Sequence, residues 1–213
     1  MLSSGGIESA VLLAKYAERY TVFPIYVQCG FVWENQEQIA LRQFISSLNN
    51  PNIQSVVVIK TDLDNIYDNH WSKTGHDFPT SGTPDSAVII PGRNFLLLSM
   101  AVLWCITHRC DAIAMGILGS AEIYDQQEAF FRQYEQLLPI SVNKKIRILT
   151  DFRGLSKSAI IRENQSLSLN LTFTCMLPVN GMHCGKCNKC EERQRAMARA
   201  GIKDFTQYDA ALA

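Results

Sequence analysis

The sequence lacks the features that would place the protein in a membrane or on nucleic acid. It has no run of the ~20 consecutive apolar residues that a membrane-spanning helix needs, and 20 basic side chains are balanced by 20 acidic ones. Zero net charge weakens any function that depends on bulk electrostatic binding of nucleic acid. The polar start Ser3–Gly6 also lacks the apolar segment of a secretory signal. We therefore expect a cytoplasmic protein with no membrane partner.

The composition is that of a folded protein with an unusual number of cysteines. Of the 213 residues, 47% are hydrophobic, which supports a core and is too many for a disordered chain. The length suits one domain with, at most, a small appendage. Seven cysteines are present. In a reducing compartment, clustered cysteines more often hold a metal than form disulfides.

Strand-like and helical patterns alternate along the chain, which is typical of a parallel α/β sheet. Val56–Ile59 is a continuous β-branched run, as expected for a strand buried on both faces. Pro91–Asn94 opens an apolar helix with Asn94 as the predicted N-cap, and residues 65–86 are predicted to form a long loop. The other predicted strands are 22–27, 112–115 and 146–149, and the other predicted helices are 9–19, 35–48, 130–137 and 156–163, with a basic helix at the end.

The segment Ser4–Ser9 has the residues of an anion-binding turn between a strand and a helix. Paired glycines allow a positive φ and a close approach of the backbone to a ligand. Backbone N–H groups at the helix start, with serine hydroxyls beside them, favour phosphate, although an ordinary serine N-cap fits the same residues. Only Met1 and Leu2 precede Ser3. Either the strand before this turn is unusually short or, as we hypothesise, the natural start lies upstream.

Four cysteines, Cys175, Cys184, Cys187 and Cys190, have the spacing of a metal site. Two-residue spacings let a tight turn direct successive thiolates at one ion, and four thiolates suit tetrahedral zinc. An iron–sulfur cluster uses the same ligands and stays open as an alternative. Because four cysteines close the site, we predict structural Zn²⁺ without a catalytic role. His183 is then a neighbour of the site rather than a ligand.

Several segments together resemble one family. Ser4–Ser9 resembles the PP-loop, SGGxDS, of ATP pyrophosphatases. With the C-terminal cysteine run, it is similar to the 7-cyano-7-deazaguanine synthases, the QueC family of queuosine and archaeosine precursor biosynthesis. Pro91–Asn94 matches the family's PGRN motif, and Leu155–Lys157 matches its L-S-K motif. The resemblance implies a doubly wound parallel sheet of the adenine nucleotide alpha hydrolase type, in which residues 1–170 bind ATP and residues 171–213 form a zinc-binding subdomain.

The resemblance also implies an activity and a set of residues. The implied enzyme is an ATP-dependent ligase that converts 7-carboxy-7-deazaguanine and ammonia to the nitrile through adenylated intermediates, with Mg²⁺ on the ATP, and a homodimer is possible. The implied catalytic residues, which would face phosphate, are Arg93 and Lys157. The residues implied to bind ATP are Ser3, Ser4, Gly5, Gly6, Glu8 (in place of the PP-loop aspartate), Ser9, Gln28, Asn94 and Gly116. Tyr124 and Asp125 are the implied substrate contacts, remnants of a D-x-S-G-Y-P-D-C-R segment that this chain otherwise lacks.

Two other functions stay open. The altered segment Glu122–Gln126 is compatible with a different acceptor, such as a tRNA base or another carboxylate. The zinc knuckle and its basic helix are compatible with a non-enzymatic regulator that binds nucleic acid or protein, although such a module has no need of a phosphate loop. The basic stretch that would contact nucleic acid contains Lys186, Lys189, Arg193, Arg195 and Arg199.

Overall fold

The computed structural model of the protein describes residues 1–119 and 123–209. Of the altered segment Glu122–Gln126, Glu122 therefore lies outside the described residues. The strands are β1 (Ile25–Gln28), β2 (Val57–Lys60), β3 (Ala112–Ala114) and β4 (Arg147–Leu149). The helices are α1 (Ile7–Ala17), α2 (Glu34–Leu48), α3 (Asp64–Tyr67), α4 (Trp71–Thr74), α5 (Arg93–Thr107), α6 (Glu128–Val142), α7 (Lys157–Glu163) and α8 (Asn188–Ala200).

The first residues of the chain lie at the centre of a parallel sheet. β1 pairs with β2, and β3 pairs with β4, both in parallel. Leu2 joins the two pairs, because its amide donates to the carbonyl of Ala114 (3.0 Å) and it forms a parallel bridge with Ile25. The order across the sheet is therefore β2, β1, residues 1–3, β3, β4. The chain reverses its winding direction at the centre, as in doubly wound folds.

Helices cover both faces of this sheet. On one face, α1, α7 and α8 share a core that contains Leu12, Ile160 and Met197. On the other face, α5 and α6 share a core that contains Leu98 and Phe131. The predicted α/β class is thereby confirmed. None of the helices that the structure describes has the length and hydropathy of a membrane span.

Three local predictions were wrong. Residues 57–59 of β2 are only half-buried, because this strand pairs only with β1 among the described residues and so lies at an edge. Asn94 does not cap α5, since the helix begins at Arg93 and Gly92 is the N-cap, with a φ of 71°. The predicted loop 65–86 contains most of α3 and all of α4. By contrast, the cap predicted for α7 is confirmed, because the Ser156 hydroxyl accepts a hydrogen bond from the amide of Ala159.

Candidate active site and metal centre

Two adjoining cavities open where β1 and β3 end and α1 and α5 begin. The inner cavity has a volume of about 140 Å³, and the outer cavity one of about 350 Å³. In doubly wound sheets, ligands bind at this point, where the strand order reverses. The residues that line both cavities are Ser4, Glu8, Glu37, Arg93, Asn94, Gly116 and Ile117.

The Ser4–Ser9 turn forms one wall of both cavities. Gly5 has a φ of +81°, and a Cβ atom there would lie 2.6 Å from the carbonyl oxygen of Glu37, so only glycine fits. Gly6 is the N-cap of α1. The Ser9 hydroxyl accepts from the amide of Ser4 (3.0 Å), and the Ser4 hydroxyl accepts from the amide of Gly6 (3.4 Å). The helix start thus faces a cavity, which is the geometry of an anion site.

Three further residues predicted to bind ATP lie at different distances from this turn: Ser3, Gly116 and Gln28. Ser3 lines the inner cavity but is buried, and its hydroxyl donates to the carbonyl of Met1 (3.4 Å). A Cβ atom on Gly116 would lie 2.9 Å from the amide nitrogen of Ser9, so this glycine lets the end of β3 contact the start of α1. Gln28 lies opposite Lys60 on β2 and lines neither cavity.

Lys157 lies at the base of the outer cavity in a chain of alternating charges. Its ammonium group is 3.0 Å from a carboxylate oxygen of Glu8 and 2.9 Å from one of Glu192, and Lys189 is 2.9 Å from the other oxygen of Glu192. Burial acts to lower the pKa of Lys157, but the two carboxylates outweigh it and raise that pKa. Burial likewise opposes ionisation of Glu192, but Lys157 and Lys189 lower its pKa to about 2. Lys157 is therefore a fixed cation at the cavity.

The first turn of α5 supplies the facing wall. The guanidinium carbon of Arg93 lies 5.9 Å from the centre of the Phe31 ring, and its buried Nε has no hydrogen-bond partner in the part of the chain that the structure describes. Asn94 donates from its side-chain amide to Asp125 (3.0 Å). Asp125 thus anchors Asn94 and, like the 83% exposed Tyr124, does not line either cavity.

Two acidic residues of α2, the buried Glu34 and the half-buried Glu37, were missed at the level of sequence. Glu34 accepts hydrogen bonds from the amides of Cys29 (2.6 Å) and Gly30 (2.8 Å), and Glu37 accepts one from the Tyr26 hydroxyl (2.8 Å). Burial raises the pKa of both carboxyls, that of Glu37 to about 7, although Arg93 and the Tyr26 hydrogen bond act to lower it. The available signal was a pair of glutamates in the first turn of a helix that follows a strand.

The four predicted cysteine ligands come together in the fold. All four are buried, and their sulfur atoms lie within 4.8 Å of one another. Tetrahedral coordination with bonds of 2.3 Å requires sulfur–sulfur distances of about 3.8 Å, and the Cys184 and Cys190 sulfurs are 4.0 Å apart. The amides of Leu177 and Cys184 donate to the Cys175 sulfur, as expected for a thiolate. This cluster could hold a metal ion.

Neighbouring side chains show why the C-terminal basic stretch is not a continuous surface. Arg193 is fully buried and donates to Thr206 (2.7 Å), Thr172 (2.9 Å) and the carbonyl of Leu169 (2.8 Å). Lys189 is paired with a carboxylate, as described above. The five residues of the basic stretch therefore do not form a continuous basic surface, because Arg193 is internal and Lys189 and Arg195 are paired with carboxylates.

His183 and the segment 75–90, here called the cavity loop, pack against the cysteine cluster. His183 accepts with Nε2 from the amide of Thr174 (3.1 Å), and it is not part of the four-sulfur group. Thr80 forms an antiparallel bridge with Cys187, and the Ser81 amide donates to the backbone carbonyl of Lys186 (2.8 Å). The other end of the cavity loop contributes three residues to the outer cavity, Asp85, Val88 and Ile90.

Comparison with known proteins gives a consistent family. Residues 1–201 match the family model described as "Queuosine biosynthesis protein QueC". A 7-cyano-7-deazaguanine synthase of Sulfolobus acidocaldarius is 30% identical over 99% of this chain, which spans 47% of that relative's length. The enzymes of the same name from Methanothermobacter thermautotrophicus and Vesicomyosocius okutanii are 27% and 26% identical, and the chain spans 96% and 94% of their lengths.

Proposed function

This chain belongs to the QueC family of queuosine biosynthesis proteins, and from that membership we propose that it is a 7-cyano-7-deazaguanine synthase. It would be an ATP-dependent enzyme that joins nitrogen to the carboxyl carbon of 7-carboxy-7-deazaguanine and forms the nitrile. The observation that carries this proposal is the convergence on one cleft of the glycine turn, Arg93 and Lys157.

Activation of a carboxylate explains why the cleft presents these groups. A carboxylate is a poor electrophile until one oxygen becomes a good leaving group. Adenylation by ATP releases pyrophosphate and makes that oxygen part of AMP, which is a good leaving group. The amides at the start of α1 and the cation of Lys157 would hold the phosphates of ATP, and Mg²⁺ would accompany the nucleotide. Arg93 would approach the phosphates from the facing wall. No side chain is needed as a covalent nucleophile.

Glu8 and Glu192 hold Lys157 at the cleft from two sides of the sequence. In the structure, Lys157 contacts Glu8 and Glu192 and is only 9% exposed. A bound triphosphate adds negative charge beside this cation, so we propose that Lys157 contacts phosphate while Glu192 keeps it in place. The longer side chain of Glu8, compared with the aspartate of the PP-loop motif, reaches Lys157 from the first turn of α1.

The outer cavity is the proposed acceptor site. Trp33 and Trp71 form an aromatic wall with stacked rings whose centres are 5.6 Å apart, and Phe173 lines the same cavity. Such a wall suits a flat, purine-like ring. Asp125 holds Asn94 at the junction of the cavities, so its proposed role in substrate binding is indirect, and that of Tyr124 stays a prediction.

We propose that the cysteine cluster holds structural Zn²⁺. Four thiolates fill a tetrahedral shell, which leaves no position for substrate and suits a reducing compartment such as the cytoplasm. The ion would fix the knuckle from which α8 begins, and α8 carries Glu192 and Lys189 to the cleft. Residues 171–213 are thus proposed as the metal-holding subdomain and residues 1–170 as the ATP-binding domain.

The proposed activity can be tested with the purified, metal-loaded chain. With ATP, Mg²⁺, 7-carboxy-7-deazaguanine and ammonium, we expect pyrophosphate release that requires the acceptor, and a nitrile product by mass spectrometry. K157M should abolish release, whereas K15M, at an exposed lysine outside both cavities, should not. Pyrophosphate release that is indifferent to the acceptor would refute the proposal. Release with another carboxylate instead would identify a different acceptor.

A further inference from the structure

Glu37 differs from the other acidic side chains of the cleft in the groups that hold its carboxylate. Glu8 and Glu37 are the two carboxylates that line both cavities. Glu8 is held by Lys157, and Glu34, in the inner cavity, is held by two backbone amides. Within the described residues, no cation lies within 4.0 Å of Glu37. The Glu37 carboxylate accepts one hydrogen bond from the described residues, from the Tyr26 hydroxyl to Oε2. Its Oε1 has no hydrogen-bond partner among those residues.

The backbone of Glu37 packs directly against the Ser4–Ser9 turn. The missing side chain of Gly5 lets α2 approach that turn so closely that a Cβ atom there would meet the Glu37 carbonyl oxygen. Glu37 therefore lies at the junction of the two cavities, which it lines together with Arg93. Under the proposed function, the acceptor would meet the α-phosphate of ATP at this junction. A carboxylate beside an anionic nucleotide is unfavourable unless it exchanges a proton or binds a positive group.

The proposed reaction needs a proton acceptor at that junction. When the lone pair of ammonia attacks the acyl adenylate, the added nitrogen must lose one proton as the carbon–oxygen bond breaks and its electron pair leaves with AMP. In the second half, the amide oxygen attacks the α-phosphorus of another ATP and pyrophosphate leaves. The nitrogen then loses its two protons while the bond to AMP breaks and the nitrile forms. A general base near neutrality serves each of these proton transfers.

Resting on the proposed function, we propose that Glu37 is this general base, with Tyr26 as its positioning residue. The charged and titratable groups that face Glu37 are Tyr26 on β1, Glu34 on α2 and Arg93 on α5. Burial and Glu34 favour the protonated carboxyl, whereas Arg93 and Tyr26 favour the carboxylate, and the balance brings the pKa to about 7. The group can therefore take up a proton and release it to solvent at neutral pH.

The first test separates adenylation from nitrogen transfer. E37Q should retain acceptor-dependent exchange of labelled pyrophosphate into ATP and should form amide and nitrile at least about 10²-fold more slowly, the usual contribution of a general base. E37D should recover part of the rate, since it restores the carboxylate one methylene further back. E18Q, at an exposed glutamate outside both cavities, should behave like the unmodified protein.

The second test uses pH, because a merely structural role would not move a pH profile. The rate of amide formation should rise with pH through about 7 in the unmodified protein. Y26F removes a hydrogen bond to the carboxylate and so raises the Glu37 pKa, which should move this rise to higher pH. E37Q should keep only the part of the rise that follows the concentration of free ammonia. The protonation of ammonia affects all variants equally. The ratio of the variant rate to the unmodified rate at each pH therefore isolates the contribution of Glu37.

The outcomes distinguish failure of this inference from failure of the proposed function. If the unmodified protein shows neither exchange nor product, the proposed function fails. If it shows both and E37Q forms amide at the unmodified rate, or if E37Q loses exchange as well while its thermal unfolding is unchanged, Glu37 is not the base. An unshifted profile in Y26F overturns the role of Tyr26.

Discussion

Replacement of Lys157 by methionine should destabilise the fold strongly, apart from any effect on activity. Methionine retains most of the side-chain volume but removes the cation that lies 3.0 Å from Glu8 and 2.9 Å from Glu192. Glu8, exposed by only 15%, would then lose its cation, and Glu192, exposed by 22%, would keep only Lys189 beside two neighbouring negative charges. Removal of one partner from a buried ion pair costs about 3–5 kcal/mol. We expect a loss of that size in the free energy of unfolding.

Urea denaturation at pH 7.5, followed by tryptophan fluorescence and circular dichroism, measures this loss. With a slope of about 2–3 kcal/mol/M, the midpoint of K157M should fall by about 1–2.5 M. The matched control is K15M. Lys15 makes an equally short ion pair with Asp151 (3.0 Å) but is 54% exposed, so its loss should cost less than about 1 kcal/mol.

A double-mutant cycle shows whether charge is the cause. In K157M/E192Q the uncompensated repulsion is relieved, so the double variant should be more stable than the sum of the single losses predicts, by about 1 kcal/mol or more. Strict additivity, or a midpoint for K157M that matches that of K15M, would refute the reasoning that Lys157 is held by its two carboxylates.

Three further predictions concern the metal centre, the turn and the buried arginine. C187A should lose bound zinc, as measured by elemental analysis, and the cavity loop should become more sensitive to protease. Full zinc content in C187A would show that the ligand assignment is wrong. G5A should abolish ATP binding, as measured by calorimetry. The control is G82A, where φ is similar but an added Cβ atom would meet no atom within 4 Å, and this variant should retain ATP binding. If both variants lost ATP binding equally, backbone strain alone would account for the loss. R193M should lower the free energy of unfolding by about 3–5 kcal/mol, because three hydrogen bonds of 2.7–2.9 Å from a fully buried side chain are lost. R195M, at an exposed position, should change it by less than about 1 kcal/mol. Similar losses in the two variants contradict this account.

The predictions that succeeded rest on local chemistry. The Ser4–Ser9 turn and the cysteine spacing each require particular residues within a short stretch, so their geometry could be expected before the fold was known. The burial of β2 could not be predicted in this way, because a β-branched run is the same in a central strand and at an edge. Asn94 has the chemistry of an N-cap, but its side chain bonds to Asp125, 31 residues away.

The sequence by itself determined the alternation of strands and helices, the glycine turn at the start of α1 and the cluster of four cysteines, because each depends on spacing along the chain. Only the tertiary structure decided how distant charges are used. It buried Arg193 within a basic stretch, set Lys157 between Glu8 and Glu192, and brought Glu37 to the turn beside Arg93. Desolvation and Coulomb energy depend on distances in space, and these exist only once the helices pack on the sheet.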